Sequence, residues 1–310
     1  MYQPYIRGKQ FELIGIKELI PDVLIKNKDK ISPIIEPVKG SSTLKTTIKS
    51  LANDGINFTL IINPQVGTFT DTNRILTILK ENVGNYTNFQ IGIIFHENID
   101  HKNIIDLLGN NNLTGISLSI IHNTMFDNIH EILASYEREI KYNVVNLSLT
   151  SKRYFRIFEK KTLVELDDYF NAQTKNSDYL KIGESNFSEE HLYYKDEGFI
   201  GFSDYLSIGE EYSESGFLPF AVAIHLSYED TSSRIKIRHF VSDSNDDNSD
   251  IGGKFAEALE KLIKWCDETQ YDSIAIPIFR EYYVKGHFPG LGTLKKLSLM
   301  NHIDLVSKLI

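Results

Sequence analysis

The chain is nearly without cysteine: Cys266 is the single one in 310 residues, so no internal disulfide can form and a reducing compartment is expected. Cys266 closes the apolar periodic stretch that starts at Phe255, where it reads as a small buried hydrophobe. Positive charge is in deficit. The net charge of -9 and pI near 5.5 disfavour a nucleic-acid partner, because sequence-independent affinity for phosphates comes from Lys and Arg. No apolar run approaches the ~20 residues needed to span a bilayer, and Met1-Tyr-Gln-Pro-Tyr-Ile-Arg7 lacks the apolar centre of a signal peptide. A cytoplasmic protein with no membrane contact is the expectation. Low-complexity linkers and internal repeats are missing too, so no clean domain boundary shows.

Metal-ligand spacing is also lacking. His96, His101, His122, His130, His191 and His302 form no helical HExxH pair, and no metal ligand set is assigned. The run Asp243-Ser-Asn-Asp-Asp-Asn-Ser-Asp250 offers alternating oxygen ligands, but Asn248 and Lys254 stand where an EF-hand loop starting at Asp243 needs Gly and Glu. It reads as a solvated loop whose Ser249 or Asp250 caps the helix starting at Ile251.

What the chain does have is a rhythm. Short β-branched runs at 32–36, 58–63, 89–96, 115–121, 142–146 and 178–184 alternate with helix-length stretches at 44–53, 71–81, 99–108, 125–139 and 154–172. A first strand at 3–6 and a helix over 10–20 precede them. Continuous apolar strands between helices imply parallel strands buried on both faces, and their number suits an α/β fold of the TIM-like (β/α) barrel type. After about residue 185 the pattern changes. The stretch 198–204 reads as another strand, 220–228 and 234–241 as a β-hairpin, 251–269 as a helix, 273–279 as a strand and 294–310 as a closing helix. The expected organisation is a barrel core over 1–204 and a C-terminal extension, hairpin plus helices, over 205–310.

Arg7-Gly-Lys-Gln-Phe-Glu12, Ile34-Ile-Glu-Pro37, Gly201-Phe-Ser-Asp204 and Ile237-Arg-His-Phe-Val-Ser-Asp243 ahead of Gly253-Lys-Phe-Ala-Glu-Ala258 together resemble the phage beta-protein family and its bacterial relatives. The resemblance implies a TIM-barrel-like fold and a setting of phage–host conflict, and it supplies no catalytic residue.

Candidate chemistry therefore comes from position. Residues at the C-terminal ends of barrel strands converge on the mouth. Arg7, Lys9 and Glu12 follow the first strand, Glu36 and Asn63 end the next two, and Asn146, Glu184 and Asp204 end later ones. Glu36 and Asp204 suit proton transfer, or a divalent cation cofactor held through oxygen; they equally suit structural ion pairs with Arg7 or Lys9 at the barrel rim. Alternation sets Ala221, Ala223 and His225 on one strand face, leaving space beside the imidazole. His239 shares its face with Ile235 and Ile237 and reads as a core histidine. His287-Phe-Pro-Gly-Leu-Gly-Thr293 leads into a helix with Lys295 and Lys296 in its first turn, an arrangement open to a phosphate or to a plain loop.

Two functions remain open. One is protein–protein binding in phage–host conflict, as a defence subunit, nuclease inhibitor or counter-defence factor whose partner is encoded nearby; the acidic charge and the aromatic-rich segment 187–212 motivate it. The other is a barrel-mouth hydrolase acting on a phosphorylated or nucleotide-like substrate, with Glu36, Asp204 and His225 catalytic and Arg7, Lys9, Glu12 and Asn63 binding substrate.

Overall fold

The computed structural model describes residues 1–111, 113, 115–214 and 218–310, which divide into two compact units. The first comprises Met1–Asp168, Glu190–Asp204 and Ile310. Its strands are β1 (Tyr5–Ile6), β2 (Ile34–Ile35), β3 (Thr59–Ile61), β4 (Gln90–Phe95), β5 (Leu118–His122), β6 (Ile140–Asn146) and β7 (Leu163–Asp167). These pair in sequence order, all parallel, and the series ends on β9 (Gly201–Asp204), because β8 (Glu184–Ser188) belongs to another sheet. A parallel bridge between Tyr2 and Phe202, with Gln3 N–H donating to Phe202 O at 2.9 Å, brings the first strand back to the last. The sheet is a TIM-like barrel. Helices α1 (Gln10–Leu19), α2 (Ser42–Asn53), α3 (Thr72–Val83), α4 (His101–Asn110), α5 (Ile129–Ser135) and α6 (Lys152–Phe155) each follow a strand. The side chains of Ser41, Asp71, Asp100 and Ser151 cap the N-termini of α2, α3, α4 and α6 by accepting a backbone N–H, so polar residues at the barrel mouth double as helix starts.

Register and alternation settle which side chains point in. Tyr5, Ile34, Thr59, Gly92, Ser119, Tyr142, Val144 and Val164 lie on the inward face, and their neighbours along each strand face the helices. A Cβ at Gly92 would come within 2.8 Å of both Ile61 Cγ1 and Thr59 Cγ2, so this inward position admits only glycine without displacing a neighbour. On the outward face His122 is fully buried, its Nδ1 3.0 Å from the Tyr154 hydroxyl and its Nε2 3.0 Å from Asn143 Oδ1. Burial pushes its pKa down to about 4, with Asn143 opposing. The unfolded chain therefore takes up this proton near pH 6.5 and the folded barrel only near 4. Stability is complete above pH 6.5 and falls as pH drops toward 4, by on the order of 3 kcal/mol for this group. His122→Gln cannot titrate. Its unfolding free energy should trail the wild type at pH 7, with the gap closing by about that amount at pH 4; a gap independent of pH would remove His122 as the source.

The second unit comprises Tyr169–Glu189 and Tyr205–Leu309. Its sheet is antiparallel in the order β10 (Ala223–Glu229), β11 (Ile235–Val241), β8, and the expected hairpin is present. Two long helices cover the two faces. On one, Ser227 Oγ meets Asn301 Nδ2 at 3.1 Å and His302 Nδ1 at 3.0 Å, both from α11 (Leu291–Leu309). On the other, Tyr228 and Phe240 pack on Trp265 of α9 (Ile251–Thr269). The side chain of Asp250 accepts from Gly253 N–H and caps α9, as the sequence suggests.

Three element assignments need correction. The expected helix 154–172 is broken: α6 ends at Phe155 and β7 occupies Leu163–Asp167, inside the stretch. Its Leu-Val-Glu-Leu-Asp contains a buried glutamate on the outward face, which blurs the apolar run of a parallel strand. The expected strand 178–184 is instead the single-turn helix α7 (Tyr179–Ile182), ended by Gly183 at φ +67°. The expected strand 273–279 is the start of α10 (Ile276–Lys285), where Pro277 stands in the first turn, a position it favours because no intrahelical N–H is needed there. Segment 169–189, placed with the barrel by sequence continuity, belongs to the second unit because β8 pairs with β11.

Candidate functional site

In the first unit, the mouth residues are engaged in building the barrel. Glu36 is fully buried and accepts from Tyr5 Oη at 2.7 Å, from the Gln65 N–H at 2.7 Å and from the Arg7 guanidinium. Gly8, at φ +59°, lets the loop after β1 wrap this carboxylate, since a Cβ there would meet the Glu36 carbonyl oxygen at 2.8 Å. Glu12 is buried in the first turn of α1 and accepts from the backbone N–H groups of Lys9 and Arg7; burial raises its pKa and Lys9 opposes that rise. Asn63 exchanges two 2.8 Å hydrogen bonds with the backbone of Ile94 and so prolongs the β3–β4 ladder. Asn146 accepts from the Ser148 N–H through its Oδ1. Asp204 shares the outward face of β9 with Phe202 and accepts from Tyr2 Oη at 2.8 Å. Arg7 and Glu36 thus form the ion pair that the sequence allowed, while Glu36 and Asp204 sit on opposite faces of the barrel wall.

His225 lies in the second unit, and its surroundings are of a different kind. Cross-strand register sets it opposite His239. The two Nδ1 atoms are 2.8 Å apart, and His239 Nε2 is 3.0 Å from Ser185 Oγ of β8. The ring of Tyr179 packs on both imidazoles at 4.7 and 4.5 Å, and Phe170 adds an edge at 5.2 Å from His225. Tyr179 is itself held, accepting from the Gln173 N–H at 2.9 Å and donating to Asn171 O at 3.3 Å. One proton bridges the two Nδ1 atoms, so the row has two arrangements. Either His239 donates to His225, whose Nε2 then carries the proton, or His225 donates to His239 and keeps a bare Nε2.

His225 lines a cavity of about 480 Å³. Ala223 and Ser298 form part of its wall, Asn176 and Gln173 its polar rim, and Leu291 and Gly292 bring the first turn of α11 to it; because α11 starts at Leu291, Lys295, which also lines the cavity, stands one turn further along than the sequence suggests. The small side chain of Ala223 beside His225 opens the space, as the strand pattern implies. Burial, then His239, then Lys295 push the His225 pKa down to about 3, and burial pushes His239 down to about 4 against the pull of Glu184. Both rings are neutral at pH 7. The cavity therefore carries one cationic ammonium, the positive end of a helix dipole and a neutral imidazole able to give or take a proton, a combination suited to an anion with a transferable proton.

His239 is the residue sequence reasoning placed in the core. It is indeed 7% exposed, yet its Nδ1 pairs with that of His225 and so sets which His225 nitrogen carries the proton. The signal was the hairpin itself: with the turn at 230–234, strand pairing puts 225 across from 239. A second unforeseen cluster lies in the first unit, where ligand atoms of Glu165, Glu190 and Glu197 all fall within 4.8 Å of one another.

Of the aromatic-rich segment, Phe187, Tyr194, Phe199, Phe202 and Tyr205 are buried, while Tyr193 is 50% exposed beside Leu192 at 40%. No described helix is long and apolar enough to cross a membrane. No family model, curated protein or solved structure matches the chain.

Proposed function

We propose that the second unit is a hydrolase module acting on a phosphorylated or nucleotide-like small molecule, with its site in the His225 cavity and not at the barrel mouth. The observation carrying this reading is the convergence of His225 and Lys295 on one 480 Å³ space, with His225 backed by His239 and Ser185. Lys295 and the N–H groups of the first turn of α11 bind the phosphoryl oxygens and stabilise the charge that builds on them. His225 Nε2 takes a proton from the attacking water while its Nδ1 proton passes to His239 Nδ1. The water oxygen bonds phosphorus, the ester P–O bond breaks, and the relay returns a proton to the leaving oxygen. In the empty cavity His225 is a weak base, and an arriving dianion raises its pKa by stabilising the imidazolium, so substrate itself prepares the base. We place this activity in phage–host conflict, following the resemblance seen in the sequence.

Binding is tested with inorganic phosphate and a panel of nucleoside mono-, di- and triphosphates by isothermal titration. Lys295→Met should weaken the bound member at least 10-fold, consistent with loss of a charge-assisted contact of about 1.5–3 kcal/mol. If the wild type binds none of these, or Lys295→Met binds equally well, the anion site is not here.

A further inference from the structure

We propose that Glu165, Glu190 and Glu197 of the first unit form a binding site for a divalent cation with oxygen ligands, independent of the His225 cavity. Three features bring the carboxylates together. Glu165 stands on the outward face of β7, paired in register with Phe202. Glu190 opens the short helix α8 (Glu190–Tyr193), and Glu197 follows seven residues later, after a turn in which its N–H donates to Tyr193 O at 3.1 Å. The ligand atoms of both glutamates lie within 4.8 Å of that of Glu165, so the helix and the turn after it bring both to the strand that carries Glu165.

The second observation concerns Glu165 alone. Its side chain is completely buried, and no hydrogen-bond donor among the described residues reaches either carboxylate oxygen. A buried carboxylate without a donor or a counter-charge is a costly arrangement that proteins resolve with a proton or a cation. Aimed at two further carboxylates, it has the donor set of a hard-cation site. The three ligand atoms lie within 4.8 Å of one another, near enough for one cation binding oxygen at about 2.0–2.6 Å to draw them together. Glu197 is exposed, so the cluster meets solvent on that side.

The rival arrangement is a proton shared between Glu165 and Glu190. The two are separated by stripping the whole protein with a chelator and adding Ca²⁺, Mn²⁺ or Mg²⁺ singly, reading the melting temperature and the calorimetric stoichiometry. The site predicts one ion bound per chain and a rise of several degrees in melting temperature with at least one of the three ions. Glu165→Gln and Glu197→Gln should lose the rise, and Asp196→Asn, an exposed acid beside the site, should keep it. Glu165→Gln stays folded because the amide is neutral. A wild type insensitive to all three ions, or a rise of equal size in Glu165→Gln, overturns the proposal.

Discussion

Glu165→Gln should stabilise the chelator-treated protein at pH 8 by on the order of 4 kcal/mol, raising the melting temperature of the barrel by about 10 °C. Burial, then Glu190, Glu197 and Asp167, lift the Glu165 pKa from its ordinary 4.5 to about 10. In the unfolded chain the group ionises near 4.5, so at pH 8 folding must return a proton to it. The stability that the carboxyl form provides is fully present below pH 4.5 and is lost as pH rises toward 10. The glutamine amide occupies the same volume, never ionises and can donate to Glu190, as the protonated acid does. The gain is thus expected to shrink to near zero at pH 4.5, and urea denaturation of both proteins at the two pH values measures it. A gain equal at both pH values would trace to packing, and a loss at pH 8 would mean that the carboxylate is already neutralised.

The second large effect concerns turnover. His225→Gln should lower hydrolysis of the substrate found by titration by about 10²- to 10⁴-fold, the range supplied by a positioned acid–base group, while binding changes little. Glutamine keeps a polar tip in the cavity and a contact toward His239 but cannot accept a proton. His239→Gln is the companion variant: it leaves His225 in place and removes the partner that takes its Nδ1 proton. Its loss should be smaller and accompanied by a shifted pH profile, because His225 then lacks the neighbour that lowers its pKa. Equal activity of His225→Gln and wild type would rule out the proton relay, and a parallel loss of binding would make His225 a ligand-binding group only.

How far the sequence carried these conclusions depends on the range of the interactions involved. The strands at 32–36, 58–63, 89–96, 115–121 and 142–146 were legible because each is a local run of β-branched residues buried on both faces. β7 was not, since its Glu165 interrupts the apolar pattern and finds its reason only in Glu190 and Glu197, which arrive in the chain later. Pro277 has a legible meaning as a helix start that the strand reading of 273–279 passed over. The site shows the same division. The space beside His225 follows from Ala223 on its own strand, and a closing helix carrying Lys295 was legible, though it starts earlier, at Leu291. That the two share one cavity depends on α11 covering the β10 face, a pairing between residues some 70 apart that no local pattern encodes. Glu36 and Asp204 were correctly placed near strand ends, but strand position alone does not tell inward from outward, and register does.

The interleaving of the two units along the chain has a consequence for how the protein comes into being. Residues 169–189 leave the ribosome before the β11 strand that β8 must join, and the last barrel strand is made between them. At about 5–20 residues per second, β8 waits several seconds as an unpaired edge, the state most open to mispairing and to chaperones. A polypeptide stopped at Asp204 would hold that edge permanently. The two units are therefore expected to be inseparable by simple truncation, and the barrel to be obtained alone only when 169–189 is replaced by a short linker.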